Sequence, residues 1–413
     1  MRPFVWICGF AIVTLLCSLQ PARGNWPEFR GSQGEGHAAD AQIPTAIGAS
    51  VVQWEIDLPG KAWSSPVVWE DQVWLTNANV DGSELSVVCV DRRSGEIIHN
   101  KVLFRDDDPP FCYPANSYAS STPVIEAGRL YVHFGATLTA CVDTATCEVL
   151  WQRTDLECDH HRGAAASPVL HQDRLLIALD GFDVQYVVAL EKTTGKTMWK
   201  QDRQIDYETD NGDQMKAYST GTVLRAGKQE MFISPSAMAT IAYDPTDGRM
   251  LWKVYHKGMN ASGRLPFDGK RVFITNGSGS IVAVRIDGSG DVTASHVDWT
   301  NGKSVAKKAS PLLVDDLLYM TTDDGLLSCR DSESGEIIWI KRIAREFAAS
   351  PLFAGGKIYC FSTEGKIITV QPGRKAEVLA ETTLGDGFMA TPAIIGNQII
   401  LRSKSKLYIC GSP

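Results

Sequence analysis

The side chains best suited to chemistry lie in the irregular stretches that precede a recurring Ser-Pro or Thr-Pro pair. Cys158-Asp159-His160-His161-Arg162 places two imidazoles, a thiol and a carboxylate together. These groups ligate zinc, yet no further His or Cys follows at a zinc-site spacing, so no metal site is expected. Asp206, Glu208, Asp210, Asn211 and Asp213 resemble part of a calcium loop, but Gly212 falls one place late for that order. That run and Asp106-Asp107-Asp108 therefore read as solvated loops. The chain holds no Gly-x-Ser-x-Gly elbow, no His-Glu-x-x-His helix and no phosphate-cradling Gly-x-x-x-x-Gly-Lys loop, so no catalytic set is assigned.

The same stretches are rich in groups that favour recognition. In chain order they offer Trp63, Tyr113, Asn116, Tyr118, His160, His161, Arg162, Tyr218, Arg264, Lys307, Lys308, Arg345, Phe347 and Phe388. Aromatic and arginine side chains dominate binding hot spots, which makes this set a candidate face for a partner or ligand.

What must position that face is a repeat. Cys89, Asp91, Ser94, Gly95 and His99 set a pattern of small residue, acid, turn and ring. It returns at Cys141, Asp143, Thr146, Cys147, Trp151 and at Ala189, Glu191, Thr194, Gly195, Trp199. Ala242, Asp244, Asp247, Gly248, Trp252 and Cys329, Asp331, Ser334, Gly335, Trp339 complete it. A late turn glycine supplies the positive φ of a hairpin, and the acid and hydroxyl cap its loose amides. The ring four residues on lies on the next strand, where it can dock one twisted sheet against its neighbour. Trp54, His99, Trp151, Trp199, Trp252 and Trp339 are the expected docking rings.

Ser65-Pro66, Thr122-Pro123, Ser167-Pro168, Ser310-Pro311, Ser350-Pro351 and Thr391-Pro392 each open an alternating strand, and degenerate units begin near Thr220-Gly221 and Leu265-Pro266. Units about 40 to 57 residues apart match a four-stranded blade. The last unit stops at Cys410-Gly411 without a ring strand, while Val51 to Ile56 supplies one at the other end. The sequence thus predicts an all-β, eight-bladed propeller of four-stranded antiparallel blades, closed by the N-terminal strand joining the C-terminal blade.

Composition agrees with an exported folded protein. Apolar residues make up 44% and charged residues 21% of the 413, with a formal charge of -8. Nucleic acid is not an expected partner, because phosphate binding needs a basic face. Arg2 followed by an apolar run from Phe4 to Leu19 and the small residues Ala22 and Gly24 reads as a signal peptide over 1–24, too short for a membrane span. Leu16 is bulky ahead of Cys17, which argues against a lipid anchor. Residues 25–49 then form an extended lead-in over the ring surface and 50–413 the propeller. Eight cysteines follow the leader, an even number for an oxidising compartment. Cys89, Cys141, Cys329 and Cys410 hold the small strand position and read as structural thiols. Cys112 and Cys158 stand at nearly matching places in adjacent units, where a disulfide is possible.

The repeated Ala, Asp, Thr-Gly and Trp pattern resembles the PQQ-repeat propellers over nearly the whole mature chain. Trp26-Pro27-Glu28-Phe29-Arg30-Gly31 also resembles the opening of secreted propellers of that kind. The resemblance implies one of two functions. The quinoprotein dehydrogenase branch binds pyrroloquinoline quinone (PQQ) with calcium, whereas the BamB-like envelope scaffold branch binds no cofactor. The adjacent-cysteine disulfide and the Cys-x-x-Cys-His haem motif typical of the dehydrogenases are absent. The expectation is a periplasmic or secreted non-catalytic propeller, monomeric and without cofactor, that presents its loops to an envelope protein, peptide or glycan. The alternative is a PQQ-dependent dehydrogenase of alcohols or sugars.

Overall fold

The computed structural model describes residues 24–412, so the expected leader lies outside the described residues apart from Gly24. Eight sheets follow one another around an axis. Blades 1 to 4 start at Val67–Trp69, Val124–Glu126, Val169–His171 and Thr222–Ala226. Blades 5 to 8 start at Arg271–Thr275, Leu312–Val314, Leu352–Ala354 and Ala393–Ile395. Blade 5 has three full strands, and blades 4 and 7 each gain a short fifth. The closing strand Val52–Asp57 pairs antiparallel with Lys406–Gly411, Trp54 opposite Ile409, and becomes the outer strand of blade 8. The ring is sewn shut by the two ends of the chain, as the complementary termini predict.

The docking rings act through a shared contact. The indole nitrogens of Trp54, Trp151, Trp199 and Trp339 donate to the carbonyls of Arg92, Lys192, Pro245 and Gly373, each in the turn of the next blade. Gly95, Gly195 and Gly248 lie flat on the first three of these rings, where a Cβ would come within 2.5 to 2.9 Å. Glycine is needed there both for its positive φ and for this close approach.

Three seams depart from the pattern, each for a visible reason. Blade 2 has Cys147 in place of the turn glycine, at φ 59°, and the facing ring on blade 1 is the smaller His99, stacked on Trp74 at 5.8 Å. At blade 5 the turn is enlarged, and Gly290–Asp291 pairs with Trp252 and Lys253. This leaves the buried Trp252 nitrogen without an acceptor. Between blades 7 and 8 no Trp is available, and the lead-in's Ile43 and Ile47 fill the wedge at 2% and 0% exposure. A further docking ring, Trp299 of blade 5, sits under Gly335 and donates to the Ser332 carbonyl.

The His99 and Cys147 pairing makes a prediction. His99→Trp alone overpacks the seam and Cys147→Gly alone leaves a void, so the double variant is expected to regain about 1 to 2 kcal/mol relative to additivity. Urea unfolding of the four proteins measures it, and strict additivity would contradict the account.

A blind cup as the candidate functional site

The Ser-Pro and Thr-Pro pairs do more than start strands. The Ser65 amide donates to Thr122 Oγ1, Thr122 to Ser167 Oγ and Ser167 to Thr220 Oγ1, each at 3.0 Å. Across blades 6 to 8 and back to blade 1, the amides of Ser310, Ser350 and Thr391 donate to the hydroxyls of Ser350, Thr391 and Ser65. The circle breaks at blade 5, where Arg264 stands at the blade entrance and its side chain turns inward.

Arg264 turns inward because the lead-in lies there. Residues 26–38 enter the channel instead of lying on the ring surface. Trp26 bridges Val68 of blade 1, the Ile125 amide of blade 2 donates to the Pro27 carbonyl, and His37–Ala38 runs parallel to Leu352–Ala354 inside blade 7. Arg264 donates to the Phe29 carbonyl at 2.7 Å and reaches Glu28 at 3.3 Å. Burial raises the Glu28 carboxyl above its ordinary range, opposed by the Arg264 charge. Arg30, 2% exposed, donates to the carbonyls of Gly34, Glu35, Pro311 and Pro351. Burial also pulls its pKa down to about 9. The chain then leaves between blades 7 and 8, where Tyr359, Thr369 and Thr382 donate to the carbonyls of Ile43, Thr45 and Ile47.

Above this plug, with Phe29 among its lining residues, lies a cavity of about 790 Å³. It takes Trp63, Tyr113, Asn116, Arg162, Tyr218, Lys307 and Lys308 from the predicted face. Arg162 stands over the Tyr113 ring at 5.4 Å and 3.1 Å from Asp213, a carboxylate it shares with the buried Lys216. Burial brings the Lys216 pKa down to about 8. Asn116 donates to the Arg162 carbonyl and the Trp63 indole to that of Ala115.

The other predicted face residues lie elsewhere. Tyr118, His160 and His161 line a separate cleft of about 100 Å³ with Phe111 and Cys158. His160 is held down to a pKa of about 4 by burial, while the His161 ring lies 6.0 Å from Phe111 and 5.1 Å from Phe182. Arg264 is a buried anchor of the plug. Phe347 and Phe388 are fully buried between blades, because successive residues of an extended loop face opposite ways. The Arg345 side chain projects into solvent, 3.9 Å from Glu364. The disulfide that the sequence left possible between Cys112 and Cys158 is not formed. Both are free thiols, the first facing the Arg162 carbonyl and the second packed against His160.

Sequence reading missed Phe29, Asn260, Asp323, Glu346 and Lys404 on the cup wall. Asp323 and Lys404 lie on turns between second and third strands. In an antiparallel blade those turns share an end with the entry loops, and that alternation was the available signal. Asp323 and Glu346 are both ion-paired to Lys308, at 3.3 and 3.1 Å.

A family model described as outer membrane protein assembly factor BamB matches residues 237–293 and 288–377. The structure resembles a europium-containing methanol dehydrogenase with TM-score 0.71 and 11% identity, over 94% of this chain and 98% of that one. The residues that the family model matches are about a third of the chain, and the fold over the described chain is an eight-bladed β-propeller. Other solved structures it resembles include the quinohemoprotein alcohol dehydrogenase of Comamonas testosteroni and BamB of Moraxella catarrhalis. The first has TM-score 0.67 and 12% identity, over 93% of this chain and 80% of that one. The second has TM-score 0.61 and 11% identity, over 87% and 99%. At such identities the likeness speaks for fold alone. No curated protein matches this chain in sequence. Among the described residues no helix is long and apolar enough to cross a membrane.

The cup was also tested against the quinone and calcium that the fold implies. Calcium takes six to eight oxygen ligands, carboxylates first. Among the described residues no group of three or more His, Cys, Asp or Glu stands together to hold a metal. The two carboxylates on the cup wall face Lys308 instead, and the residues present do not fit a calcium-bound quinone.

Proposed function

We propose that this propeller is an exported, non-catalytic binding module of the cell envelope that receives part of a protein, peptide or glycan partner in its cup. The observation that carries this reading is the floor, since a through-channel has been turned into a one-ended receptacle by the chain's own buried lead-in. A concave site of this volume with a few converging polar groups is the usual form of a ligand site. Tyr113 on the cup wall is 48% exposed, and in and beside the separate cleft Phe111 and Phe182, 61% and 38% exposed, flank the His161 ring and offer further apolar surface. The apolar N-terminal run supports the export part of this reading, and the BamB family match supports an envelope setting.

Photo-crosslinking in the native host tests the proposal. Benzoylphenylalanine at Tyr113 or Lys307 is expected to trap a discrete adduct, while the same group at Leu150, an exposed outer-strand position, is not. Adducts from Leu150 alone would overturn it.

The alternative reading, a PQQ-dependent dehydrogenase, has the shared fold behind it and the lining of the cup against it. Dye reduction by the purified protein with PQQ, calcium and alcohols or sugars decides between them, since turnover above that of free PQQ would replace the binding proposal.

A further inference from the structure

The circle of hydroxyls around the cup is only half satisfied. Ser65, Thr122, Ser167, Thr220, Ser350 and Thr391 all line the cavity and are all buried. Each accepts one amide hydrogen from a neighbouring blade. A hydroxyl has two acceptor lone pairs and one donor hydrogen. With an amide on one lone pair, each O–H is left to donate, and none of the six has an acceptor among the described residues. These O–H groups face the open cup, where they are free to donate to a ligand rich in acceptors.

One arc is better equipped than the rest. Ser350, Thr391 and Ser65 follow one another through blades 7, 8 and 1. Lys404 is fixed at that end of the cup by donating to the Thr363 carbonyl at 2.9 Å. Two residues before Ser65 stands Trp63, half-buried on the cup wall, its indole nitrogen held by the Ala115 carbonyl at 3.1 Å. Hydroxyl donors and an ammonium group lining the same cavity suit an oxyanion, whose hydrogen bonds are then charge-assisted. An aromatic wall next to that arc suits an apolar ring face. A carboxylate or sulfate on a sugar ring combines the two.

We propose that the arc of Ser350, Thr391 and Ser65, with Lys404, seats the carboxylate or sulfate of an acidic sugar whose ring lies against Trp63. This inference rests on the cup being a binding site and adds the chemistry of what it binds. Calorimetric titration of the purified protein tests it with glucuronate and galactose 6-sulfate, which separate the two anion sources. Glucose, galactose, inorganic sulfate and hexaglutamate are the comparisons.

At least one acidic sugar is expected to bind saturably, at least tenfold more tightly than its neutral counterpart. Thr391→Val is expected to weaken it at least tenfold and Thr391→Ser to keep it. Lys404→Met, a surface change that leaves the fold alone, is expected to weaken it about fivefold. Trp63→Leu should weaken the sugars more than inorganic sulfate. Saturable binding by neither acidic sugar, equal binding of neutral sugars, or full affinity in Lys404→Met would overturn the inference. Tighter binding of hexaglutamate would overturn it while leaving the cup a binding site, whereas quinone-dependent turnover would remove the binding reading itself.

Discussion

Trp54→Ala is expected to lower the free energy of unfolding by about 3 to 5 kcal/mol, the range for truncating a packed aromatic residue. Trp54 stands where the ring closes. Its strand comes from the far end of the chain, and its indole reaches across to the Arg92 carbonyl and the face of Gly95 in blade 1. The seam is also clamped by Arg402 of blade 8, which donates to the carbonyls of Ser64 and Thr76 and to Asn77 Oδ1, by the Thr391 amide on Ser65 Oγ and by Arg92 on Gln398 Oε1. Burial lowers the Arg402 pKa to about 9, so that clamp is itself costly to desolvate. Losing the indole frees the closing strand and exposes the edge of Lys406–Gly411, and an exposed edge invites pairing with another chain. Urea unfolding with light scattering should show both the loss of stability and association. Leu150→Ala, at an outer-strand position 50% exposed, should change stability by about 0.5 kcal/mol or less. Equal stability of the two variants would contradict the closure.

Arg30→Met comes second, with an expected loss of about 3 kcal/mol. Methionine fills much of the same space but donates nothing. The carbonyls of Gly34, Glu35, Pro311 and Pro351 would then lose a charged donor inside the channel. Arg30→Lys should not restore it, because a single ammonium cannot reproduce the planar fork that spans carbonyls from blades 6 and 7 and from the lead-in itself. The stability loss should come with a looser floor and a weaker grip on anything held in the cup. Unchanged stability in Arg30→Met would mean that the lead-in is not anchored in the channel.

The ring was legible in the sequence because its information is periodic. Turn glycine, docking ring and Ser-Pro recur at fixed offsets, and the incomplete last unit matches the surplus strand at Trp54. Trp299 escaped notice because the enlarged turn of blade 5 moves it sixteen residues from Ala283, its cross-strand partner, instead of ten. The cup was legible in part. Entry loops can be found by position, but position does not say which way a loop residue faces. Trp63, Tyr113 and Arg162 therefore line the cup, while Phe347 and Phe388 dropped into the core. The plug was hidden for a different reason. Trp26 to Arg30 belong to no repeat, and nothing local states that this stretch will lie across an axis built by residues up to 321 positions away.

Hydrogen exchange across residues 25–47 tests the floor of the cup most directly. If these residues are built into the channel, the amides of Trp26, Gly36 and Ala41, and those of Ile125 and Phe353 that bond to the lead-in, should exchange only as slowly as the blade strands. Exchange of the 25–47 stretch within seconds, while the Thr122 and Ser350 amides stay protected, would show a loose tail over an open channel, and the blind cup would be lost with it.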